Sequence, residues 1–450
     1  MSVRSTDDWL AFISAQHPVA IDLTLERARA VWQRLRAPGE NPGSLGVPVI
    51  TVGGTNGKGS TCAMLAAILD RAGYRVGCYT SPHLLRYNER VRIARHDIDD
   101  ADLCRAFARV EAARGTTGLT YFEFGTLAAF VAMLDARIDV AVLEVGMGGR
   151  LDAVNLIDAD VAVVTSIGLD HMEYLGDSRE KIGFEKAGIY RAGRAAICAD
   201  PDAPLPLVEH AQAIGARLLR AGIDYAFGDV DGSQWNYRRF APLASTRAAQ
   251  QTTVGAAGAS RTVSRARYGL PFPALRGAYQ LGNAAAAITA LDELGAQLPV
   301  SAEAIRTGLL TAEIAGRFQV LPGRPTVVLD VAHNPHAAAV LAASLARLTG
   351  GGRTLAVFSM LADKDIEGVV RAVKAHVDEW FIAPVDAARA AGPAQLRDAL
   401  TRAAALDPTT ACASIAQALA AARERAGEND RIVVFGSFYT VAEVLAALAS

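Results

Sequence analysis

Residues 47–72 read VPVITVGGTNGKGSTCAMLAAILDRA. A short apolar run over 47–52 leads into a glycine-rich loop over 53–60, and an amphipathic helix follows over 58–72. A strand, a glycine-rich loop and a helix in this order predict a phosphate-binding loop, because loop N–H groups and the helix N-terminus surround phosphate oxygens. Lys58 adds a positive charge at the outer phosphates. A random glycine-rich turn would explain the glycines but not this lysine.

The loop departs from the strict GxxxxGK[ST] pattern at two positions. Val52 occupies the place of the first glycine, and Gly59 intervenes between Lys58 and the hydroxyl residues Ser60 and Thr61. Either hydroxyl can reach a Mg²⁺ ion bound to the phosphates.

Outward from this loop, strands alternate with helices, which predicts an α/β fold. Strands are expected at 76–79, 140–145 and 161–165, with a helix at 126–136, and together they predict a mostly parallel sheet. A second series of strands, at 326–329, 354–358, 379–382 and 432–435, predicts a smaller Rossmann-like α/β domain. We therefore expect two domains, residues 1–314 and 315–450. The polar, Gly/Ala-rich residues 245–264 are expected to form a surface loop between short strands.

Composition limits the class of protein. Of 450 residues, 51% are hydrophobic and 20% are charged, with a net charge of −2, so neither a disordered chain nor a nucleic-acid-binding protein is indicated. We expect no membrane span and no signal peptide. The five scattered cysteines predict neither disulfides nor a zinc site, and they favour a cytoplasmic location.

Lysine is rare in this chain. Only five of the 45 basic residues are lysines, namely Lys58, Lys181, Lys186, Lys364 and Lys374. The bias either reflects codon usage or leaves lysine where arginine cannot do the chemistry.

Three more polar residues follow predicted strands. Glu144 ends the strand in VLEVGMGGRLD (142–152), His171 follows the next strand, and Lys186 lies in FEKAGI (184–189). Because the carboxyl ends of parallel strands share one edge, Glu144, His171 and a loop hydroxyl are expected to converge on a metal. The alternatives are a turn-capping glutamate and a structural histidine.

The second domain repeats this pattern in LDVAHNPH, residues 329–336. Asp330 is placed to accept hydrogen bonds from a ribose, although Asn334 before Pro335 is also ordinary helix-capping chemistry. These patterns predict a two-domain nucleotide enzyme with Mg²⁺ near the γ-phosphate, and they leave the acceptor of the phosphoryl group open.

The chain resembles the bifunctional dihydrofolate synthase/folylpolyglutamate synthase family, which is related to the Mur ligases. The resemblance runs from about residue 20 to 440 and is weakest at about 225–270. It rests on the phosphate loop, 143–155, Asp330 to His336, and the following shorter motifs: IDLTLER (21–27), TSPHL (80–84), NERV (88–91), TYFE (120–123), GLDH (168–171), EKAG (185–188), GRFQ (316–319) and GSF (436–438).

The resemblance implies an ATP-dependent amide ligase. Such an enzyme joins L-glutamate to 7,8-dihydropteroate and to reduced folates through an acyl phosphate. It also implies ATP and Mg²⁺, with two ions, and a CO₂-derived carbamate on Lys186. The fold implied for residues 1–314 is that of a Mur ligase central domain, and residues 315–450 would close over ATP and bind glutamate.

The resemblance also implies site residues. Catalytic roles fall to Lys58, Lys186 and His171. ATP contacts fall to Gly57, Lys58, Gly59, Ser60, Asn283, Arg317 and Asp330. Metal ligation falls to Ser81, Glu144 and His171. The dihydropteroate pocket would contain Asp22, Leu23, Thr24, Leu25, Thr120, Tyr121, Phe122, Glu123, Leu151, Asp152 and Ala153.

The sequence leaves three other hypotheses for the function. The chain could have folylpolyglutamate synthase activity alone, or it could be a Mur-type ligase that acts on a cell-wall nucleotide peptide. The third hypothesis is a regulatory protein that binds a nucleotide without catalysing a reaction. A monomer acting only on small molecules is expected.

Overall fold

The computed structural model describes residues 4–17, 19, 21–230, 232–242, 261–277, 279–348, 352–405 and 407–449. The phosphate-loop strand lies inside an eight-stranded sheet with the order β4-β3-β2-β5-β1-β6-β7-β8. Its strands are Val49–Gly53 (β1), Val76–Tyr79 (β2), Val91–Ile93 (β3), His96–Asp97 (β4), Val140–Glu144 (β5), Val161–Val164 (β6), Ala195–Cys198 (β7) and Arg217–Arg220 (β8).

Strand β1 pairs in parallel with β5 on one side and β6 on the other, and all five of its residues are buried. A strand covered on both faces and both edges is almost continuously apolar, and in β1 Thr51 is the one polar side chain. Only β3 and β4 run antiparallel to their neighbours. The carboxyl ends of β1, β5 and β6 therefore open side by side.

Helices cover both faces of this sheet. They are Thr6–Ser14 (α1), Glu26–Leu35 (α2), Lys58–Arg71 (α3), Asp100–Arg114 (α4), Tyr121–Asp135 (α5), Met172–Leu175 (α6), Arg179–Ala187 (α7), Leu205–Ala213 (α8), Gln280–Glu293 (α9) and Ala302–Thr311 (α10). Helices α3, α9 and α10 share one apolar core, and α1, α2, α4 and α5 share another.

A small antiparallel sheet follows, formed by Tyr225–Asp229 (β9), Gln234–Phe240 (β10) and Val263–Pro271 (β11) in the order β11-β10-β9. Trp235 and Tyr237 of β10 are fully buried in the core that contains α3 and α9. The expected loop over 245–264 is wrong at its end, because Val263 and Ser264 already belong to β11. Residues 245–260 lie outside the described residues.

The remaining chain forms a six-stranded sheet with the order β12-β13-β17-β14-β15-β16. The strands are Gln319–Leu321 (β12), Thr326–Leu329 (β13), Thr354–Phe358 (β14), Glu379–Ile382 (β15), Thr409–Ala411 (β16) and Arg431–Phe435 (β17). The helices are Pro335–Ala346 (α11), Ile366–Val373 (α12), Pro393–Arg402 (α13), Ile415–Arg425 (α14) and Phe438–Ala449 (α15). Two apolar cores, one on each face, give the expected doubly covered α/β unit.

The helix expected at 126–136 begins earlier, at Tyr121, since Thr120 and Glu123 form a capping box around its first turn. Within the described ranges, no helix is long and apolar enough to cross a membrane. The five cysteines are all free.

Candidate active site

The phosphate loop takes its shape from glycines and from the strand β6. Gly57 has a φ of 90° and precedes α3 directly. A Cβ on Gly54 would collide with Thr165 Oγ1, directly after β6. Only glycine at position 54 therefore allows the loop to lie this close to the end of β6. Thr165 Oγ1 and Ser166 Oγ both donate to Asn56 O, at 2.7 and 3.0 Å. The first N–H groups of α3 have no acceptor within the helix, and Gly57 and Lys58 line the cavity in front of the loop.

Lys58 closes over this loop. Its Nζ donates to Gly54 O at 3.0 Å and to Thr55 O at 3.2 Å. Burial lowers the pKa of Lys58, and the Glu144 carboxylate opposes that shift. The ammonium group is thus held within the loop, where a nucleotide phosphate would meet it.

Glu144 ends β5 beside the phosphate loop. It is 2% exposed, and its Oε2 accepts the N–H of Ser81 at 3.2 Å. Burial raises the pKa of Glu144, while the charges of Lys58 and Arg317 lower it. Among the described residues, no cation lies within ion-pair distance of this carboxylate. A buried carboxylate without such a partner fits a divalent cation.

His171 directly precedes α6 and has a left-handed conformation with φ 51°. Burial lowers the pKa of His171 to about 4, against the opposing charge of Asp170. The imidazole is therefore neutral at pH 7, which is the form that binds metals. No group of three or more His, Cys, Asp or Glu side chains in the described ranges is arranged to hold a metal. A metal here would need oxygens from the nucleotide, as is usual for Mg²⁺.

Lys186 lies near the end of α7 and is 3% exposed. Burial, together with the charge of Lys58, lowers the pKa of Lys186 to about 7. Its Nζ has no hydrogen bond or ion pair to any residue that the structure describes. A large part of Lys186 is therefore a neutral amine at physiological pH.

Most of the expected site residues line one cavity of about 480 Å³, which lies between the eight-stranded and the six-stranded sheet. They are Asp22, Leu23, Thr24, Gly57, Lys58, Ser81, Thr120, Phe122, Glu123, Glu144, Leu151, Asp152, Ala153, His171, Lys186 and Arg317. Gly59 instead lines a neighbouring cavity of about 570 Å³. The structure does not bring Leu25, Ser60, Tyr121, Asn283 or Asp330 to the wall of either cavity.

These exceptions have physical reasons. Leu25 packs in the core beneath α2, and the Tyr121 ring packs edge-on against Tyr87. Ser60 Oγ accepts from Gln280 Nε2 at 3.3 Å, and Asn283 Nδ2 donates to Gln280 Oε1 at 3.0 Å. The start of α9 is thereby tied to the phosphate loop.

Asp330 organises the strand end that carries it. Its two carboxylate oxygens accept the N–H groups of Phe318 and Ala332, each at 2.8 Å. Burial raises the pKa of Asp330, whereas Arg317 and these two N–H groups lower it. The Arg317 guanidinium lies 5.1 Å from the Phe438 ring centre.

The expected dihydropteroate pocket has an acidic wall. Arg27 forms ion pairs with Asp22 at 2.6 Å and with Glu123 at 3.2 Å. It was not among the expected site residues. Asp152 accepts the N–H groups of Met147 and Val154, each at 2.9 Å. Burial, opposed by these N–H groups, raises the pKa of Asp152 to about 6. These carboxylates face a space that Phe122 and Leu151 also line.

A polar bridge between the two α/β units was missed by sequence reasoning. Asp170 Oδ1 lies 2.8 Å from Lys364 Nζ, and its Oδ2 accepts from Asn334 Nδ2 at 3.2 Å. Burial would raise the pKa of Asp170, but His333, His171 and Lys364 hold it well below its usual range. The rarity of lysine was the one sequence feature that pointed to Lys364.

Comparison with known proteins identifies the family. The model of the Mur ligase middle domain matches residues 52–291, and that of the Mur ligase glutamate ligase domain matches 316–438. The dihydrofolate synthase/folylpolyglutamate synthase of Escherichia coli (strain K12) is 42% identical over 97% of this chain and 94% of its own length. This chain belongs to that family. The relative of that name from Haemophilus influenzae is 36% identical and covers 100% of this chain and 99% of its own length.

Solved structures of the family have the same fold. E. coli FolC in complex with DHPP and ADP is 41% identical, with a TM-score of 0.88 over 99% of this chain and 98% of that chain. A bifunctional folylpolyglutamate synthase/dihydrofolate synthase with Mn, AMPPNP and L-glutamate bound has a TM-score of 0.86 at 41% identity, over 99% and 98% of the two chains.

Proposed function

We propose that this chain is an ATP-dependent ligase that adds L-glutamate to 7,8-dihydropteroate, forming dihydrofolate, and to reduced folates, forming polyglutamates. The observation that carries the proposal is the shared cavity. Lys58 and Glu144, suited to phosphate and metal, line the same space as Asp22, Phe122 and Asp152. Family membership and the ligands of the solved relatives support the same chemistry.

The reaction has two steps. A carboxylate oxygen of the acceptor attacks the γ-phosphorus of ATP, an O–P bond forms, the bond to the bridging oxygen breaks, and ADP leaves. The glutamate nitrogen then attacks the acyl carbon, a C–N bond forms, the C–O bond to phosphate breaks, and the amine releases a proton. Lys58 and the N–H groups of the phosphate loop stabilise the charge that develops on the phosphate oxygens.

Mg²⁺, as two ions, would be held by Ser81, Glu144 and His171 together with ATP oxygens. When bound, it neutralises phosphate charge and polarises the γ-phosphate. Residues 1–314 and 315–450 act as two domains, and the nucleotide binds between them. It is positioned by Gly57, Gly59, Ser60, Asn283, Arg317 and Asp330. Asn283, Ser60 and Asp330 act from behind the cavity wall, through the contacts of α9 and of the strand end.

Lys186 carries a carbamate formed from CO₂ in this proposal. The lone pair of a neutral, buried Nζ forms an N–C bond to CO₂, one C=O π bond breaks to leave an oxyanion, and the nitrogen releases a proton to solvent. The product places two oxygens and a negative charge at lysine length. Mg²⁺ prefers such oxygen ligands to an amine. The enzyme acts as a cytoplasmic monomer on small molecules.

The test is product formation by the full chain with ATP, glutamate and one acceptor at a time: dihydropteroate, tetrahydrofolate or a UDP-muramoyl peptide. We expect ADP release and glutamylated product with the first two only. Lys58→Ala should lower the rate at least ~100-fold while keeping the circular dichroism spectrum. Its matched control is Lys181→Ala, since Lys181 is exposed and pairs with Asp177. Turnover with the peptide alone would instead indicate a cell-wall ligase, and turnover with tetrahydrofolate alone a folylpolyglutamate synthase.

A further inference from the structure

Arg90 is a buried guanidinium that the reaction scheme has not used. It ends a 3₁₀ turn, Tyr87–Arg90, directly before β3, and it is 8% exposed. Its backbone carbonyl accepts the N–H of Thr80 at 2.9 Å, which fixes the residue beside β2. The side chain lines the 480 Å³ cavity.

The contacts of Arg90 are with uncharged groups. Its Nε donates to His83 Nδ1 at 2.8 Å, so that nitrogen carries no proton. The guanidinium carbon lies 5.0 Å from the Tyr87 ring centre and 5.6 Å from that of Tyr121. Burial raises the pKa of Tyr87 well above its usual value, so this phenol supplies no negative charge. Across the described ranges, no carboxylate lies within 4.0 Å of Arg90.

Arg27, which pairs with two carboxylates that line the same cavity, shows the contrast. Its guanidinium is paired with both Asp22 and Glu123. A buried charge without a counter-charge is costly, and structures normally pair it. The more distant Glu144 carboxylate does feel the charge of Arg90, but without an ion pair the guanidinium is available to an anion that a ligand brings into the cavity.

The position of Arg90 indicates which anion of the reaction it binds: an ATP phosphate or the carboxylate of the acceptor. ATP phosphates belong to the loop that holds Lys58. Arg90 lies instead beside the end of β2, through the Thr80 N–H, and beside Tyr121, the first residue of α5, whose neighbours Phe122 and Glu123 line the same cavity. Dihydropteroate has a single anionic group at neutral pH, the carboxylate that becomes phosphorylated, because its pterin and aminobenzoyl parts are uncharged.

We propose that Arg90 binds the reacting carboxylate of dihydropteroate and orients it for attack on the γ-phosphate. This inference rests on the proposed function. The guanidinium is planar and offers paired N–H donors that match a carboxylate. His83 and the two tyrosine rings keep those donors in one orientation.

The test compares dihydropteroate with its carboxamide, which has the same shape and no charge. Dissociation constants are measured by titration for the wild type, Arg90→Gln and Arg90→Lys. We expect the wild type to prefer the acid, and Arg90→Gln to weaken acid binding ~10- to 100-fold, the range of a charged hydrogen bond. Carboxamide binding should stay unchanged, and Arg90→Lys should restore part of the preference. Arg109→Gln is the matched control, since Arg109 pairs with Asp135 on the surface.

Three results would overturn the inference. The first is equal weakening of acid and carboxamide by Arg90→Gln, which indicates a structural role. The second is a raised KM for glutamate with unchanged acid binding, which assigns the charge to the amino acid. The third is equal affinity of the wild type for the acid and the carboxamide, and it can be observed without any variant. Failure of the proposed function looks different, because the wild type would then release no ADP with dihydropteroate and glutamate, whatever its binding preference.

Discussion

Burial sets the protonation states of the charged residues in the cavity. It raises the pKa of Glu144, lowers that of His171 to about 4 and lowers that of Lys186 to about 7. Two of these shifts favour the neutral forms of His171 and Lys186. The cavity thus holds a neutral imidazole suited to a metal and an amine able to react with CO₂.

Lys186 gives a prediction with a worked-out pH dependence. Its Nζ is an ammonium below about pH 7 and a neutral amine above it, and only the amine reacts with CO₂. Enzyme exchanged into CO₂-free buffer should lose activity, and at the same concentration of dissolved CO₂ it should recover faster at pH 8 than at pH 6. With ¹³C-bicarbonate, the wild type should show one carbamate resonance by NMR.

The variants for this test come from one helix. Lys186→Ala should lower kcat ~100-fold or more, lose the resonance and recover partly with a short added carboxylate. Lys181→Ala, on the exposed side of α7, should behave like the wild type. Full activity without CO₂, and no carbamate resonance, would contradict the prediction.

At the scale of elements, the sequence predicted strands better than helix starts or strand ends near loops. The strands at 354–358 and 379–382 were placed correctly, since each consists of one polar residue followed by a continuous apolar run. The helix was expected to start at 126, but reciprocal capping bonds between Thr120 and Glu123 start α5 at Tyr121. Similarly, β11 begins with the exposed residues Val263, Ser264 and Arg265, which carry no apolar pattern.

The segment between β10 and β11 gives the second prediction. Ala241 N donates to Thr262 O at 2.8 Å, so the chain leaves and returns at one point. Deleting residues 245–260 should leave kcat within ~2-fold, and the shorter connection should favour folding by roughly 1 kcal/mol. Initial rates and thermal melting would measure this, with the intact chain as control. A folded deletion variant without ligation would show that the segment contacts substrate.

Arg317 tests the stretch that connects the two sheets. It lines the cavity beside Phe438 and has no ion pair to a described residue. Arg317→Ala should raise the KM for ATP ~10-fold or more with little change in dihydropteroate binding. Arg324→Ala is the control, because Arg324 is exposed and pairs only with Glu428. An unchanged ATP dependence would remove Arg317 from the nucleotide site.

For the whole molecule, the sequence predicted which residues end neighbouring strands but not what joins the two α/β units. From the alternation of strands and helices, Lys58, Glu144 and His171 were expected to lie close together, because the carboxyl ends of parallel strands share one edge of the sheet. The bridge between Asp170 and Lys364 joins residues 194 positions apart. Lys364 lies in a turn before α12, and no periodicity relates it to Asp170. Such contacts depend on how two finished sheets pack.

This bridge gives the last prediction. Asp170 precedes the candidate metal ligand His171 and holds Lys364, Asn334 and His333 from the other α/β unit. Asn334 also exchanges hydrogen bonds with Asn56 of the phosphate loop, at 3.3 Å in both directions. These bonds therefore hold the phosphate loop, His171 and the second α/β unit in one arrangement.

Lys364→Met removes one charge from a largely buried pair and should favour an open arrangement. We expect kcat to fall ~10-fold or more, and the radius of gyration with a non-hydrolysable ATP analogue to exceed that of the wild type by small-angle scattering. Lys374→Met is the control, because its Nζ bonds only Ala403 and Ala404 of its own unit. If the bridge acts as one unit, Asp170→Asn combined with Lys364→Met should cost little more than either change alone. Additive losses, or a radius like that of the wild type, would mean that the two domains close without it.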